Sequence, residues 1–449
     1  SFDATDITLS NGTLSTLSGV GLTRSATFTP TANLTSGNGS VAVNMGSYQD
    51  AAGNVGAAGS SGLITLDTAA PTVLSLALNA ASTGLLNSTF NAGDVAVVEV
   101  VFSEAVTVVT SGGVPTLDLT IGSTVVKATY TSGTGTNSLR FSYTIVAGQT
   151  DTDGIAINLN GLVLNGGIIT DVLGNTATVT YAAVANDSGY KVDTTAPTPV
   201  ITASTSQLMV SITATLTFTF LEAPVGFALT DIVATNGTVT SLLSPSTTTR
   251  TAVFTPTANL DSTSTSISLT PGSYTDAAGN AGTAGTPLVV ALDTKRPTVT
   301  IGLSDANIST GETSLVTFTF SEDVGTSFVW NGTSGDVSVT GGTLSAISGT
   351  GLSRTATFTP TASTGGTGSI SVTGANYSDL AGNTGSNASS ATINIDTAAP
   401  TITSLALNTA GSTGLVSSTF NAGDLAAVAV VFNEAITVGI AGGVPTLSM

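Results

Sequence analysis

The acidic side chains of this sequence recur in three short motifs that repeat along the chain. The motif DTxxPT begins with Asp67, Asp193, Asp293 and Asp396. The motif DxxGN begins with Asp50, Asp171, Asp276 and Asp379. FSEAV and its variants FLEAP, FSEDV and FNEAI carry Glu104, Glu222, Glu322 and Glu434. Because carboxylate oxygens are the ligands that hard cations prefer, these motifs predict divalent-cation binding.

The composition excludes most other chemistry. The chain has no Cys and no His, so thiol nucleophiles, disulfides, zinc fingers and histidine-based triads are absent. Its 449 residues include 8 Lys and Arg against 27 Asp and Glu, a net charge of −19, which excludes a basic face for nucleic acid. A carboxylate pair could in principle hydrolyse glycosides. An active site normally occurs once, however, and these carboxylates repeat, so we predict no enzyme.

The repeats divide the chain into five units. The predicted units are 1–67 (the C-terminal part of a short repeat), 68–193 (a long repeat), 194–293 and 294–396 (short repeats), and 397–449 (the N-terminal part of a long repeat). The last unit copies the second, since GGVPTL ends at Leu117 and again at Leu447. We therefore expect a segment of a longer array. The alternative is that the two partial units complete each other between chains.

Each unit is predicted to consist of strands. In Leu315–Phe320 (LVTFTF), apolar Val316, Phe318 and Phe320 alternate with other residues, which is the period of a half-buried strand. Gly, Asn and Pro separate such runs, and about seven short strands per 100 residues is typical of an Ig-like sandwich. We predict an all-β protein of tandem Ig-like β-sandwich domains arranged as an elongated rod.

The motifs together resemble a known family. DTxxPT, FSEAV, DxxGN and RTATFTPTA, which starts at Arg354 and has counterparts at Arg24 and Arg250, are similar to the bacterial Ig-like (cadherin-like) tandem repeats of giant surface adhesins and biofilm-associated proteins. The resemblance implies an extracellular stalk on the bacterial cell surface, often with calcium at the junctions between domains.

An Ig-like topology brings the three acidic motifs together. The linker Asp enters a domain at its near pole, the second strand returns there with the Glu, and the turn before the last strand holds DxxGN at the same pole. The predicted groups are Asp67, Glu104 and Asp171; Asp193, Glu222 and Asp276; and Asp293, Glu322 and Asp379. Asp396 and Glu434 begin a fourth site whose DxxGN lies beyond the chain end, and Asp50 belongs to a site whose other members precede the chain.

Calcium fits such groups best. Three carboxylates repel one another unless a cation neutralises them, and Ca²⁺ accepts six to eight oxygen ligands in flexible geometry, whereas Mg²⁺ prefers rigid octahedral sites. The Asn of DxxGN could add an amide oxygen at Asn175, Asn280 and Asn383. The alternative is that each Asp alone is an ordinary turn or cap residue.

Other residues are weaker candidates. Asp151 and Asp153 resemble the start of a calcium loop, but the remaining ligand positions do not follow. Asp94 is assigned to a turn, and Trp330 to packing rather than to a carbohydrate platform. The recurring arginines are assigned to a structural partner or an exposed strand face.

These observations predict a calcium-rigidified stalk that projects an adhesive tip or supports attachment to a surface or biofilm. The alternative is a self-associating protein of an extracellular filament, sheath, surface layer or biofilm matrix, or a glycan-binding module. Expected partners are the neighbouring repeats of the same chain, with lateral self-association or a host or matrix surface ligand as further options. No run of 18 apolar residues occurs, so we expect no membrane span in this segment.

Overall fold

The structure is a computed structural model that describes residues 1–439, and its regular elements are almost all β-strands. The first unit contains the strands Ile7–Ser10, Gly12–Leu14, Phe28–Pro30, Gly37–Val43, Gly59–Ser60 and Ile64–Leu66. A single 3₁₀ turn, Ala4–Asp6, precedes them.

The second unit is built around one large sheet. Its strands are Val73–Leu78, Thr89–Phe90, Val95–Val109, Thr116–Ile121, Thr124–Ser132, Thr136–Thr144, Thr150–Asp151, Ala156–Val163, Ile168–Thr170 and Lys191–Asp193. Seven of these form one sheet, and the short strands Thr89–Phe90, Thr150–Asp151 and Lys191–Asp193 form a second. The longest strand, Val95–Val109, pairs with Val73–Leu78 on one side and Thr136–Thr144 on the other.

The third and fourth units share one topology. The third has Pro199–Ala203, Gln207–Leu208, Ala214–Phe220, Ile232–Ala234, Gly237–Leu243, Thr249–Pro256, Thr263–Leu269 and Leu288–Leu292, with a 3₁₀ turn at Leu229–Asp231. The fourth has Val299–Leu303, Asn307–Ser309, Ser314–Phe320, Val337–Thr340, Gly342–Leu344, Ser353–Pro360, Gly365–Val372, Ala388–Ser389 and Ile393–Asp396, with a 3₁₀ turn at Gly374–Asn376. Each forms two facing sheets, which confirms the prediction of tandem Ig-like β-sandwiches.

A short parallel strand carries the chain from one sheet of each sandwich to the other. Gln207–Leu208 pairs in parallel with the last strand of its unit, and Asn307–Ser309 does the same in the next. In both units the last strand leads directly into the linker.

Three separate hydrophobic cores lie within residues 90–192, 201–292 and 299–395. In the strand Ser314–Phe320 the predicted face is confirmed, because Val316, Phe318 and Phe320 are buried while Leu315 is exposed. In the fifth unit Ile402–Leu407 pairs with Val428–Phe432. The repeated GGVPTL motif that ends at Leu447 lies outside the described residues. In the part of the chain that the structure describes, no helix has the length and apolar character needed to cross a membrane.

Candidate metal centres at the domain junctions

The DxxGN motif forms a closed turn that docks onto the preceding linker. In the third unit, Asp276 Oδ1 accepts the backbone N–H of Asn280 at 2.8 Å, and Asp276 Oδ2 accepts its side-chain amide at 2.7 Å. The same amide donates to the main-chain carbonyl of Asp193 at 2.9 Å. One asparagine therefore holds the turn closed and ties it to the linker aspartate of the same junction.

The other junctions repeat this arrangement. Asn175 donates to the carbonyl of Asp67 at 3.2 Å, and Asn383 donates to the carbonyl of Asp293 at 3.1 Å. The expectation that these asparagines add an amide oxygen to a metal site is contradicted at Asn383, whose oxygen has another partner, and stays a prediction at Asn175 and Asn280. The amide nitrogen faces the carboxylate because it donates to it, and Asn383 Oδ1 instead accepts the backbone N–H of Val210 in the preceding domain at 2.7 Å.

The first two predicted groups come together at successive junctions. In each, three carboxylate oxygens lie within 4.8 Å of one another; the groups are Asp67, Glu104 and Asp171, and Asp193, Glu222 and Asp276. In each group one carboxylate belongs to the linker and one to the DxxGN turn. The third is the glutamate, which lies within the strand Val95–Val109 in the second unit and just after the strand Ala214–Phe220 in the third. Because the linker aspartate belongs to the preceding domain, each group joins two domains.

The third junction differs from its prediction. Here the oxygens within 4.8 Å belong to Asp261, Asp293 and Glu322, while Asp379 lines the same cavity of about 460 Å³ outside this tightest group. Sequence reasoning missed Asp261, because the corresponding positions of the first and fourth units hold Thr35 and Gly365.

One signal for Asp261 was available in the linker of that junction. Lys295 replaces an alanine or threonine of the other linkers, and its Nζ lies 2.7 Å from Asp261 Oδ2. A new cation in an acidic repeat indicates a new anion nearby. Lys295 therefore compensates the additional carboxylate that Asp261 brings to this junction.

The remaining predicted ligands lie at the two ends. Asp50 is exposed, and its carboxylate accepts hydrogen bonds from its own turn, including Asn54 Nδ2 at 2.8 Å. Within residues 1–439 neither Asp50 nor the pair of Asp396 and Glu434 belongs to a three-carboxylate group.

Burial and charge repulsion together raise the pKa of three junction glutamates. Desolvation, followed by the charges of Asp193 and Asp276, raises the pKa of Glu222 to about 7. Desolvation and the charges of Asp293, Asp379 and Asp261 likewise raise the pKa of Glu322 to about 7, although Lys295 opposes this. The pKa of Glu104 is raised by the same causes, desolvation first.

The aspartate of the second DxxGN turn behaves differently. Burial opposes its ionisation, but hydrogen bonds from Asn175 and from the turn's backbone outweigh burial and lower the pKa of Asp171. Each turn thus supplies a carboxylate with donors of its own, while the glutamate beside it lacks them.

The glutamates also carry orphaned oxygens. The Oε1 atoms of Glu222, Glu322 and Glu434 are buried and have no hydrogen-bond partner among the described residues. A buried acceptor without a donor costs free energy. A hard cation surrounded by these carboxylates would satisfy it, and an all-oxygen donor set suits calcium rather than zinc or copper.

The weaker acidic candidates have other partners. Asp151 lines a cavity of about 410 Å³ at the second junction, but its oxygens accept the backbone N–H groups of Gly122 at 2.7 Å and Gly154 at 2.8 Å. Asp153 accepts from Asn186. Asp94 accepts the N–H of Asn91 at 2.7 Å, as expected for a turn residue.

The two-sheet sandwiches, each joined to the next through a carboxylate-lined linker, define a tandem array of Ig-like domains. Residues 1–66, 193–290 and 293–395 match the bacterial Ig-like domain family, and these ranges cover more than half of the chain. The chain therefore belongs to the bacterial Ig-like domain family. The long unit, with its seven-stranded sheet, lies outside the matched ranges.

The solved structures to which the chain is similar include a bacterial adhesin and tandem Ig domains of titin. The Escherichia coli adhesin FdeC is 10% identical, with 73% of this chain and 96% of that chain covered and a TM-score of 0.29. Invasin, a bacterial integrin-binding protein, is 12% identical (75% and 62% covered, TM-score 0.28), and titin domains I67–I69 are 7% identical (69% and 94% covered, TM-score 0.31). No curated protein matches the chain. Similarity at these levels does not indicate that the chain shares a ligand with any of these proteins.

Proposed function

We propose that this chain is part of the stalk of a large extracellular bacterial surface protein, rigidified by calcium at its domain junctions. The stalk projects an adhesive tip or supports attachment to a surface or biofilm. Membership of the bacterial Ig-like family and the tandem cores support the structural role. The proposal gives the chain no catalytic role.

The observation that carries the calcium proposal is the buried, unpartnered Oε1 of Glu222 beside Asp193 and Asp276. Glu322 likewise has a buried, unpartnered Oε1, which lies beside Asp261 and Asp293. Calcium bound by these oxygens would neutralise mutually repelling charges and connect the linker to the domain that follows. At a calcium concentration tenfold above the dissociation constant, binding would stabilise each junction by about 1.4 kcal/mol.

Small-angle scattering of the whole chain tests this function. We expect a longer maximum dimension and a narrower distance distribution in calcium than in excess EGTA, because the linkers bend more freely without the ion. The double variant Glu222→Gln, Glu322→Gln should lose most of the response. Asp118→Asn is the control, because it removes a carboxylate that pairs with Lys127 on a sheet, outside the junction motifs.

A maximum dimension and a melting curve that are both unchanged by EGTA would remove the calcium mechanism. A maximum dimension that grows with protein concentration would favour the alternative of self-association.

A further inference from the structure

The junction glutamates are held in two different ways. Glu104 lies inside the strand Val95–Val109, at an irregularity in its pairing, and the strand continues past it to pair with Ile168–Thr170 through Thr107–Val109. Glu222 and Glu322 instead lie just beyond the strands that end at Phe220 and Phe320. Their loops need another support if the glutamates are to face the linker aspartates.

Arg354 supplies that support in the fourth unit. Its side chain is 4% exposed, and its Nη2 donates to the carbonyl of Gly325, three residues after Glu322, at 3.1 Å. Its Nη1 donates to the carbonyls of Gly351 and Ser353, and the guanidinium lies 6.0 Å from the Phe320 ring centroid. No carboxylate of the described chain forms an ion pair with it. The arginine therefore bridges two loops through their main chains.

Arg250 makes the same bridge in the third unit. Its Nη2 donates to the carbonyl of Pro224, two residues after Glu222, at 3.4 Å, and its Nη1 donates to Thr247 at 3.1 Å and Thr249 at 3.0 Å. Arg250 and Arg354 occupy one register position, opposite Phe218 and Phe318 respectively.

The long unit has no arginine at the corresponding register position. Val100 precedes Phe102 by two residues, as Phe318 precedes Phe320, and its partner on the neighbouring strand is Leu139. The arginine therefore occurs where the glutamate follows a strand and is absent where the glutamate lies within one.

We infer that Arg250 and Arg354 are positioning residues that hold the glutamate loops and so set the calcium affinity of the second and third junctions. The inference rests on the proposed function. A planar guanidinium can donate to two loops at once in a fixed geometry, whereas a lysine offers one point charge on a flexible stem. Loss of a group that orients a metal ligand typically lowers affinity by about 10–100-fold.

Hydrogen–deuterium exchange of the whole chain, followed by peptide-resolved mass spectrometry during a calcium titration, tests the inference. For Arg354→Lys we expect an increase of about tenfold in the calcium concentration that half-protects residues 321–326. The peptides around Glu104 and Glu222 should keep their wild-type midpoints. In EGTA, residues 321–326 should exchange faster than in the wild type, while Ser314–Phe320 stays protected.

Arg24→Lys is the matched control. Arg24 occupies the same motif, but it is exposed, and among the described residues its guanidinium donates hydrogen bonds only to the carbonyls of Gly21 and Thr23. Arg24→Lys should therefore leave the calcium midpoint of every junction peptide unchanged.

Arg250→Lys, at a half-buried position, is the second variant and should shift only residues 221–226. Unchanged exchange and midpoints in both lysine variants would overturn the inference. It would also be overturned if loop and strand lost protection together in both variants, because the arginines would then stabilise the whole domain. If the wild type showed no calcium-dependent protection at any junction, the proposed function would fail, and faster loop exchange in EGTA would still establish the positioning role.

Discussion

At the scale of single residues, burial and neighbouring carboxylates oppose the ionisation of Glu222 and Glu322 and raise their pKa. Glu222 and Glu322 are desolvated and face like charges, and each has a buried oxygen without a donor. The neighbouring DxxGN aspartates accept several hydrogen bonds from their own turns. The glutamates should therefore respond most strongly to protons and to cations.

The raised pKa values predict how the stability of the calcium-free protein depends on pH. The pKa of both glutamates rises from 4.5 to about 7 on folding, so between these values the folded protein binds more protons than the unfolded chain. Stability from these groups is fully present below pH 4.5 and is lost as the pH rises through 7. We expect the melting temperature in EGTA to fall between pH 5 and 7.5.

Two comparisons check the origin of this pH dependence. The double variant Glu222→Gln, Glu322→Gln should show a flatter profile, and excess calcium should reverse the trend because protons compete with the ion. A melting temperature in EGTA that rises over this window would contradict the assignment.

At the scale of the element, the DxxGN turn connects each domain to its linker without any ion. Asn280 is 9% exposed and donates to both Asp276 and the carbonyl of Asp193. The domain before it adds direct contacts, since Asn87 and Asn91 donate to the carbonyls of Ala277 and Ala278 at 3.0 and 3.1 Å. The turn is therefore an interface as well as a source of one carboxylate.

We expect Asn280→Ala to destabilise the third unit by about 1–3 kcal/mol in EGTA, because it removes the donor to the buried carboxylate of Asp276 and to the carbonyl of half-buried Asp193. Asn54→Ala is the matched control, since Asn54 lies in an exposed copy of the turn, and should cost less. Peptide-resolved exchange during urea denaturation would measure each unit separately. Equal losses in the two variants would contradict a linker-anchoring role.

At the scale of the whole molecule, stability is divided among separate cores. The clusters within residues 90–192, 201–292 and 299–395 share no members, so each domain should unfold as its own cooperative unit when the junctions are loose. Coupling between neighbouring domains then depends on the contacts at the junctions.

Calorimetry of a core variant tests this division. Phe358 is fully buried, and Phe358→Ala should destabilise the fourth unit alone by about 3–5 kcal/mol in EGTA. Phe254→Ala should do the same for the third unit. In calcium, each variant should also destabilise the adjoining domain to some extent, because the bound ion couples the two domains. A common shift of all transitions in EGTA would show that the domains are not independent.

The amino-acid pattern alone determined the class of fold and much of the candidate sites. Alternation in Ser314–Phe320 depends only on the two-residue period of a strand, and the predicted face is the buried one. The repeated motifs, placed on an Ig-like topology, also brought together Asp67, Glu104 and Asp171, because strand direction determines the pole at which a residue lies.

Only the tertiary structure decided the remaining features. Asp261 joins the third junction through a loop that carries no acid in the first and fourth units, so repetition could not indicate it. The asparagine amides turn their nitrogen toward the carboxylates, and Arg354 donates to carbonyls rather than to an acid. Spacing along a chain predicts which segments meet, but the partner of each polar atom depends on local backbone geometry and on the other donors and acceptors present. That geometry exists only in the folded protein.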